Sequence, residues 1–354
     1  MTNPTSHFDE LAELRRLADD IFGASAETVL DVPNTTIDFD PALWKTLAES
    51  GLTLLTTPDA AGGSGATLTE SAIVLTSAAA HAAPVPVAET DLLASWLLRA
   101  ADLPVPTGPL TAVHDPALEI GRGRVRGTAQ RVPWARAAQA IVLADERSVA
   151  VVPAAALRIE HGGNVAAEPR DRIEIDTEID SAAIGPAPSR VAEGFLLRGA
   201  LARAIQISSA LERALVLTVG HVGTREQFGR PIGKFQAVQA MVAEAAEAVA
   251  AARTASEFAV RVTTEHGFDD ERAAFTIAVA KAQASSAAPV VARAAHQAHG
   301  AIGFTLDHRL RHFTLRALAW RSEFGGAEFW ERELGQTMLG STRSQLWEFV
   351  TNIS

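Results

Sequence analysis

The chain has 354 residues, 47% of them hydrophobic and 21% charged, the balance of a folded protein with one large core or two to three smaller ones rather than a disordered one. Its net charge of -11 and the lack of any basic stripe exclude a nucleic-acid surface, which needs clustered cations to meet phosphates. Without a cysteine it builds neither disulfides nor thiol chemistry, and its apolar runs break at polar residues well before bilayer length, so no membrane span is expected.

The start, Met1-Thr2-Asn3-Pro4-Thr5-Ser6-His7-Phe8-Asp9-Glu10, has neither the basic nor the apolar segment of a secretion signal, and a cytoplasmic setting is expected. Residues from about 7 to 105 read as helical. Phe8, Leu11, Leu14, Leu17 and Ile21 recur at three-to-four spacing, and Leu43, Trp44 and Leu47 mark a short second helix over Pro41–Ser50. Thr57-Pro58-Asp59-Ala60-Ala61-Gly62-Gly63-Ser64-Gly65 is a glycine-rich loop before the apolar helix Leu68–Ala80. It follows no strand and lacks a P-loop lysine, so it reads as a plain turn.

From Pro104 the character changes. Leu118–Ile120, Arg124–Gly127, Ala140–Leu143 and Val149–Pro153 are short strand-like runs, and Arg172-Ile173-Glu174-Ile175-Asp176 alternates as a half-buried strand does. After Gly185-Pro186-Ala187-Pro188-Ser189 the pattern turns to long helices over Phe195–His221, Pro231–Glu265 and Glu271–His299. The last two are rich in alanine, which suits close packing in a bundle or an oligomer core. The expected class is mainly α with a small central β domain. Its expected segments are an N-terminal helical domain (1–106), a β domain (107–188) and a C-terminal four-helix bundle (189–354).

Between the first two long helices lies Thr224-Arg225-Glu226-Gln227-Phe228-Gly229-Arg230-Pro231-Ile232-Gly233-Lys234-Phe235-Gln236-Ala237-Val238-Gln239. It offers a permanent cation (Arg225), an aromatic plate (Phe228) and amide side chains (Gln227, Gln236) close together. Gly229 allows a sharp turn, and Pro231 is placed to open the next helix. At the end of the third helix, Ala295-His296-Gln297-Ala298-His299-Gly300-Ala301-Ile302-Gly303-Phe304-Thr305 carries two glycines that can end a helix and admit a ligand to bare backbone, with Gln297 beside them. His296, His299 and His308 lack a third ligand at zinc-site spacing near the i, i+3 pair, so no metal is expected.

The first block resembles the R-x-x-F-G-x-P-I-x-x-F-Q-x-x-Q signature of acyl-CoA dehydrogenases. The second resembles their Q-x-x-G-G-x-G-(F/Y)-T segment, with Ala301 in place of the second glycine, and Pro58–Gly65 resembles their P-x-x-x-G-G-x-G loop. The helix–sheet–helix order matches that family along nearly the whole chain. The resemblance implies FAD as cofactor, its diphosphate and adenylate end met by Arg225, Gln227, Phe228, Gln236, Gln297, His299, Gly300 and Gly303 across a subunit interface. It also implies an acyl-CoA substrate, an electron-transfer flavoprotein or similar acceptor, and a homologous partner subunit.

The family's catalytic base is a glutamate at one of two places. The first counts to Arg198-Gly199-Ala200, which holds no acid; the second falls beside Glu323 in Arg321-Ser322-Glu323-Phe324-Gly325-Gly326. Glu323 is therefore the candidate base, the other readings being a surface acid or a partner of Arg321. The family's T-E-P-x-x-G-S-D-like flavin loop is replaced by Leu110-Thr111-Ala112-Val113-His114-Asp115-Pro116, and Trp134 stands roughly where a K-x-(W/Y)-I-(T/S) strand belongs. A nucleotide clamp without a cradle for the flavin's reactive end resembles one subunit of the α2β2 enzymes with which actinobacteria shorten steroid side chains. The alternatives are a self-sufficient dehydrogenase using Glu323 and a purely structural, flavin-free helical subunit.

Overall fold

The computed structural model describes residues 4–30, 36–306, 308–340 and 351; the outermost ends of the expected first and last segments lie outside them. The chain divides into two compact units. Met1–Ser25, Asn34–Leu75 and Ala83–Gly199 form the first, and Ala26–Pro33, Thr76–Ala82 and Ala200–Ser354 the second. The architecture is mainly helical with a small β portion, as expected.

Helix α1 spans Pro4–Val29 and α2 spans Pro41–Glu49. Asp40 caps α2 by accepting from the amides of Ala42 and Leu43, with Pro41 in the first turn where no helical bond is lost. The glycine-rich loop is a plain turn. The amides of Gly65 and Ala66 are spent on Thr57 O and Leu55 O, and a Cβ on Gly63 would lie 2.1 Å from Thr57 O. Helix α3 (Leu68–Ala80) leads through a π-helical turn, Glu89–Ala94, into α4 (Ser95–Ala100). In that turn the fully buried Asp91 accepts from Thr56 and Ser71; burial raises its carboxyl pKa, and these bonds and Arg99 oppose the rise.

Two four-stranded sheets follow. One has the order β1 (Leu110–His114), β4 (Ala140–Ala144), β5 (Ser148–Pro153), β8 (Ile184–Pro186), with β1 and β4 parallel and the other pairs antiparallel. The other is antiparallel in the order β2 (Glu119–Gly121), β3 (Arg124–Pro133), β7 (Arg170–Glu178), β6 (Arg158–Glu160). Leu118, Val125, Ile141, Leu143, Val152 and Ile173 share one core here. The alternation at 172–176 holds: Ile173 and Ile175 are buried, while Glu174 and Asp176 pair with arginines on the outer face.

The long helices are α5 (Val191–Thr224), α6 (Gln236–His266), α7 (Glu271–His299), α8 (Leu310–Trp320) and α9 (Ala327–Leu339). Asp270 caps α7 by accepting from the Arg272 amide, and Gly300, at φ +63°, ends it. Pro231 does not open α6. It closes a two-stranded hairpin of β9 (Glu226–Gln227) and β10 (Arg230–Pro231), a 3-10 turn follows, and α6 begins at Gln236. Among the described residues no helix is long and apolar enough to cross a membrane.

Candidate functional site

Arg225 leaves the end of α5 with its amide on His221 O at 2.9 Å, and its own carbonyl accepts from the Ile232 amide at 2.8 Å. These two bonds fix the base of the β9–β10 hairpin. The two residues at its tip, Phe228 at φ +53° and Gly229 at φ +78°, both lie in the left-handed region. Of the two-residue hairpin turns the type I′ form has both residues there; glycine supplies this freely, and phenylalanine does so at a cost. The tip holds Phe228 out at 92% exposure, its edge toward the Phe235 ring at 6.1 Å, while the Arg230 guanidinium lies over the same ring at 4.3 Å. Gly233 lets the turn press against α5, for a Cβ there would come within 3.0 Å of Val222 O. Arg225, Gln227 and Gln236 are exposed; Gln227 Nε2 donates to Glu226 O at 2.8 Å.

The end of α7 meets this block through imidazoles. His299, buried at the end of α7, donates from Nδ1 to Ala295 O at 2.7 Å, stacks on His221 at 4.4 Å and meets His308 edge-on at 4.8 Å. His296 Nε2 lies 2.9 Å from Thr314 Oγ1, and its ring packs on Phe304 at 4.6 Å. Burial is the first cause lowering the pKa of all four rings, and proximity to His299 adds to it for His221, His296 and His308. Gly303 is buried, with room for no Cβ beside that of His299, and Gln297 and Gly300 are exposed. The two sequence blocks are thus neighbours at one end of the second unit. The sequence reading missed His221, whose only signal was its place one helical turn before Arg225.

Glu323 lies elsewhere in that unit. It is neither a surface acid nor a partner of Arg321. Arg203 Nε donates to Glu323 Oε2 at 2.7 Å, with side-chain exposures of 3% and 12%. The Arg203 guanidinium also approaches the rings of Trp320 at 5.7 Å and Phe324 at 5.9 Å. The loop carrying Glu323 is bonded to Lys281 and Ser285 of α7. At roughly 1.5 Å per residue, Ser285 and His299 are about 20 Å apart along the helix.

In the first unit, Arg198 stacks its guanidinium over Trp96 at 4.0 Å, and Gly194 is pressed to that ring so closely that a Cβ would meet it at 2.8 Å. Trp134 is 3% exposed at φ +55° and belongs to the core. Leu110–His114 is strand β1, buried over Leu110–Ala112 and half-buried at Val113 and His114. A cavity of about 520 Å³ lined by Gln139, Val151, Pro153, Thr177 and Glu178 contains none of the candidate residues.

Chemically, the junction brings a permanent cation together with exposed amides, an exposed aromatic face and imidazoles of lowered pKa. The cation and amides are donors of the kind a nucleotide diphosphate accepts from, an arginine bidentately. Among the described residues no group of three or more histidine, aspartate or glutamate side chains is arranged to hold a metal ion.

Family models for the acyl-CoA dehydrogenase N-terminal domain and C-terminal domain match residues 9–102 and 189–339. The chain is 27% identical to acyl-CoA dehydrogenase IpdE2 of Mycolicibacterium smegmatis, over 83% of this chain and 87% of that protein. It is 28% identical to acyl-CoA dehydrogenase FadE27 of Mycobacterium tuberculosis, over 85% and 88%. Among solved structures, a chain of the ChsE4-ChsE5 complex from Mycobacterium tuberculosis superposes with a TM-score of 0.83 at 25% identity, over 97% of this chain and 99% of that one.

Proposed function

This chain belongs to the acyl-CoA dehydrogenase family of FAD-dependent oxidoreductases, and from that premise we propose that it is one subunit of a heteromeric acyl-CoA dehydrogenase. It supplies a nucleotide clamp across the interface to a homologous partner that carries the base. The observation that carries the reading is the engagement of Glu323 by Arg203 at 2.7 Å. A carboxylate held by a buried guanidinium is a weaker proton acceptor than one in a desolvated pocket, and residues 198–200 hold no acid to replace it. The clamp, by contrast, is presented outward on a fixed hairpin, with Phe228 92% exposed.

When bound, the flavin accepts the hydride that leaves the acyl thioester in α,β-dehydrogenation. Arg225 would grip the diphosphate, Phe228 and Gln227 would cover the nucleotide end, and Gln236 would hydrogen-bond to it from the first turn of α6. His299, its Nδ1 proton committed to Ala295 O, would present Nε2 as an acceptor, suited to a hydroxyl of the ligand rather than to its diphosphate; Gly300 would leave backbone bare beside it, and Gly303 makes room for His299. The likeness to one chain of a two-component complex supports an assembly with two kinds of subunit. An electron-transfer flavoprotein or a similar protein would serve as the acceptor partner of the assembled enzyme.

The test is the flavin spectrum and native mass of the purified chain, alone and after co-expression with a homologous acyl-CoA dehydrogenase subunit. A colourless chain that turns yellow and active with the partner is expected. Yellow, active protein in isolation would make it a self-sufficient enzyme, and a chain that stays colourless in both settings would make it structural.

A further inference from the structure

Lys281 sits between Ala280 and Ala282 in α7 with its side chain wholly buried. Its Nζ faces three acceptors: Ser285 Oγ at 2.9 Å, Arg321 O at 2.9 Å and Gly325 O at 2.7 Å. Ser285 Oγ, one helical turn along, donates to the same Arg321 O at 3.0 Å. The two carbonyls are the ends of the loop between α8 and α9. Within it Phe324, at φ +53°, and Gly325, at φ +87°, occupy the left-handed region, which a phenylalanine holds only when its surroundings force it to. Trp330 Nε1 donates to Phe324 O at 3.0 Å, and the Glu323 amide donates to Trp320 O at 3.1 Å.

We propose that Lys281 is a positioning residue: by holding the carbonyls of Arg321 and Gly325 it fixes the loop backbone, and through that backbone the pairing of Glu323 with Arg203. Its consequence for catalysis rests on the reading above, in which that pairing withholds Glu323 from proton transfer. The three acceptors match the three N–H bonds of an ammonium. A neutral amine keeps its bonds to both carbonyls while Ser285 turns its hydroxyl proton to the nitrogen lone pair. Both protonation states therefore hold the loop, and they differ at Ser285.

The charged groups facing Nζ are Glu323 from the loop and Arg203 from α5. Burial pushes the lysine down to about 7, Glu323 opposing and Arg203 adding to the fall. Opening the loop lets water reach Nζ and returns it toward its ordinary value of about 10.5. Opening therefore takes up a proton between these two values. The closed loop gains stability as pH rises through about 7, and below that the gain is absent.

Amide hydrogen exchange of the full chain, read on peptides covering 320–327 and corrected for intrinsic rates, tests this without flavin, partner or turnover. Between pH 7 and 9 the wild-type loop should open less as pH rises, its opening constant falling by up to about tenfold per unit. Lys281→Met should remove that slope and leave the loop more open at pH 9, while peptides of α6 stay as they were. Ser285→Ala should keep the slope. A wild-type loop with no slope, or a slope that survives Lys281→Met, overturns the assignment. The wild-type series alone decides if the variant does not fold. A failure here leaves the two-subunit reading standing, and a complete enzyme in isolation would sink that reading without touching the slope.

Discussion

His221 and His299 stack with their ring centroids 4.4 Å apart and 23° between the planes. The last turn of α5 and the last turn of α7 therefore touch through two imidazoles, and Arg225 follows His221 by one helical turn. Neutral rings stack without repulsion, and the shared burial that lowers both pKa values keeps them neutral. This contact ties the Arg225 hairpin to the Gly300–Gly303 turn, which are separate in sequence.

If that junction grips a flavin diphosphate, Arg225→Ala removes the cation at the base of its hairpin. A charge-assisted contact is worth on the order of 1.5–3 kcal/mol, or about ten- to a hundred-fold in affinity. Arg225 is exposed, so the fold should be unaffected. The affinity of the assembled complex for FAD, titrated by fluorescence, should fall by that factor. Unchanged affinity in a correctly assembled variant would remove Arg225 from the clamp.

Gly303→Ala addresses the junction from the other side. A Cβ at Gly303 would lie 2.8 Å from His299 Cβ, so the histidine must move and its stack on His221 with it. Overpacking of this kind costs about 1–3 kcal/mol. The thermal midpoint should drop by a few degrees and flavin retention should weaken. Gly220→Ala, in an exposed turn of α5 where a Cβ meets nothing within 4 Å, should be neutral or stabilising. Equal effects from the two substitutions would show that the close approach is unimportant.

His312 predicts acid sensitivity. Burial first, then the charges of Arg311 and Arg316, push its pKa down to about 3. The unfolded chain binds a proton near pH 6.5 that the native chain refuses. Stability from this group is thus complete above about pH 6.5, falls as pH drops through that window and levels off near 3. The urea midpoint should decline from pH 7 to 4, and His312→Gln, which takes up no proton, should decline less. Parallel curves for the two proteins would mean that His312 is protonated in the native state.

What the sequence made legible follows from how local each signal was. Helix α7 runs over Glu271–His299, the expected range, because Asp270 and Gly300 mark its ends and alanines fill its faces. Strand β7 announced itself by alternation. Strand β1 did not, since its burial runs over three successive residues, Leu110–Ala112, without a period of two. The hairpin at 226–231 was hidden because Pro231 serves a first helical turn and a strand end equally well; the two left-handed residues at its tip decide the matter. Glu323 was placed in the right loop, yet its partner Arg203 is 120 positions away, and no spacing rule spans that distance. Lys281 gave one clue, a single cation in a run of alanines, which reads equally as a solvated position.

Glu323→Gln decides whether this chain holds half a site or a whole one. The substitution keeps the shape and an acceptor oxygen for Arg203 but removes the negative charge. Breaking a buried pair is costly to stability because it leaves a charge uncompensated, so thermal stability should fall whichever reading holds. Turnover separates them. With the base in the partner, steady-state dehydrogenation at saturating FAD and an artificial electron acceptor should stay within a few-fold of wild type. With Glu323 as base, kcat should fall by about a hundred-fold or more, the contribution of a positioned proton acceptor, while FAD remains bound. In that case Arg203 would have to release the carboxylate during turnover, and the 2.7 Å contact would be a resting state. A large loss of kcat with flavin retained would therefore assign the base to this chain and end the half-site reading.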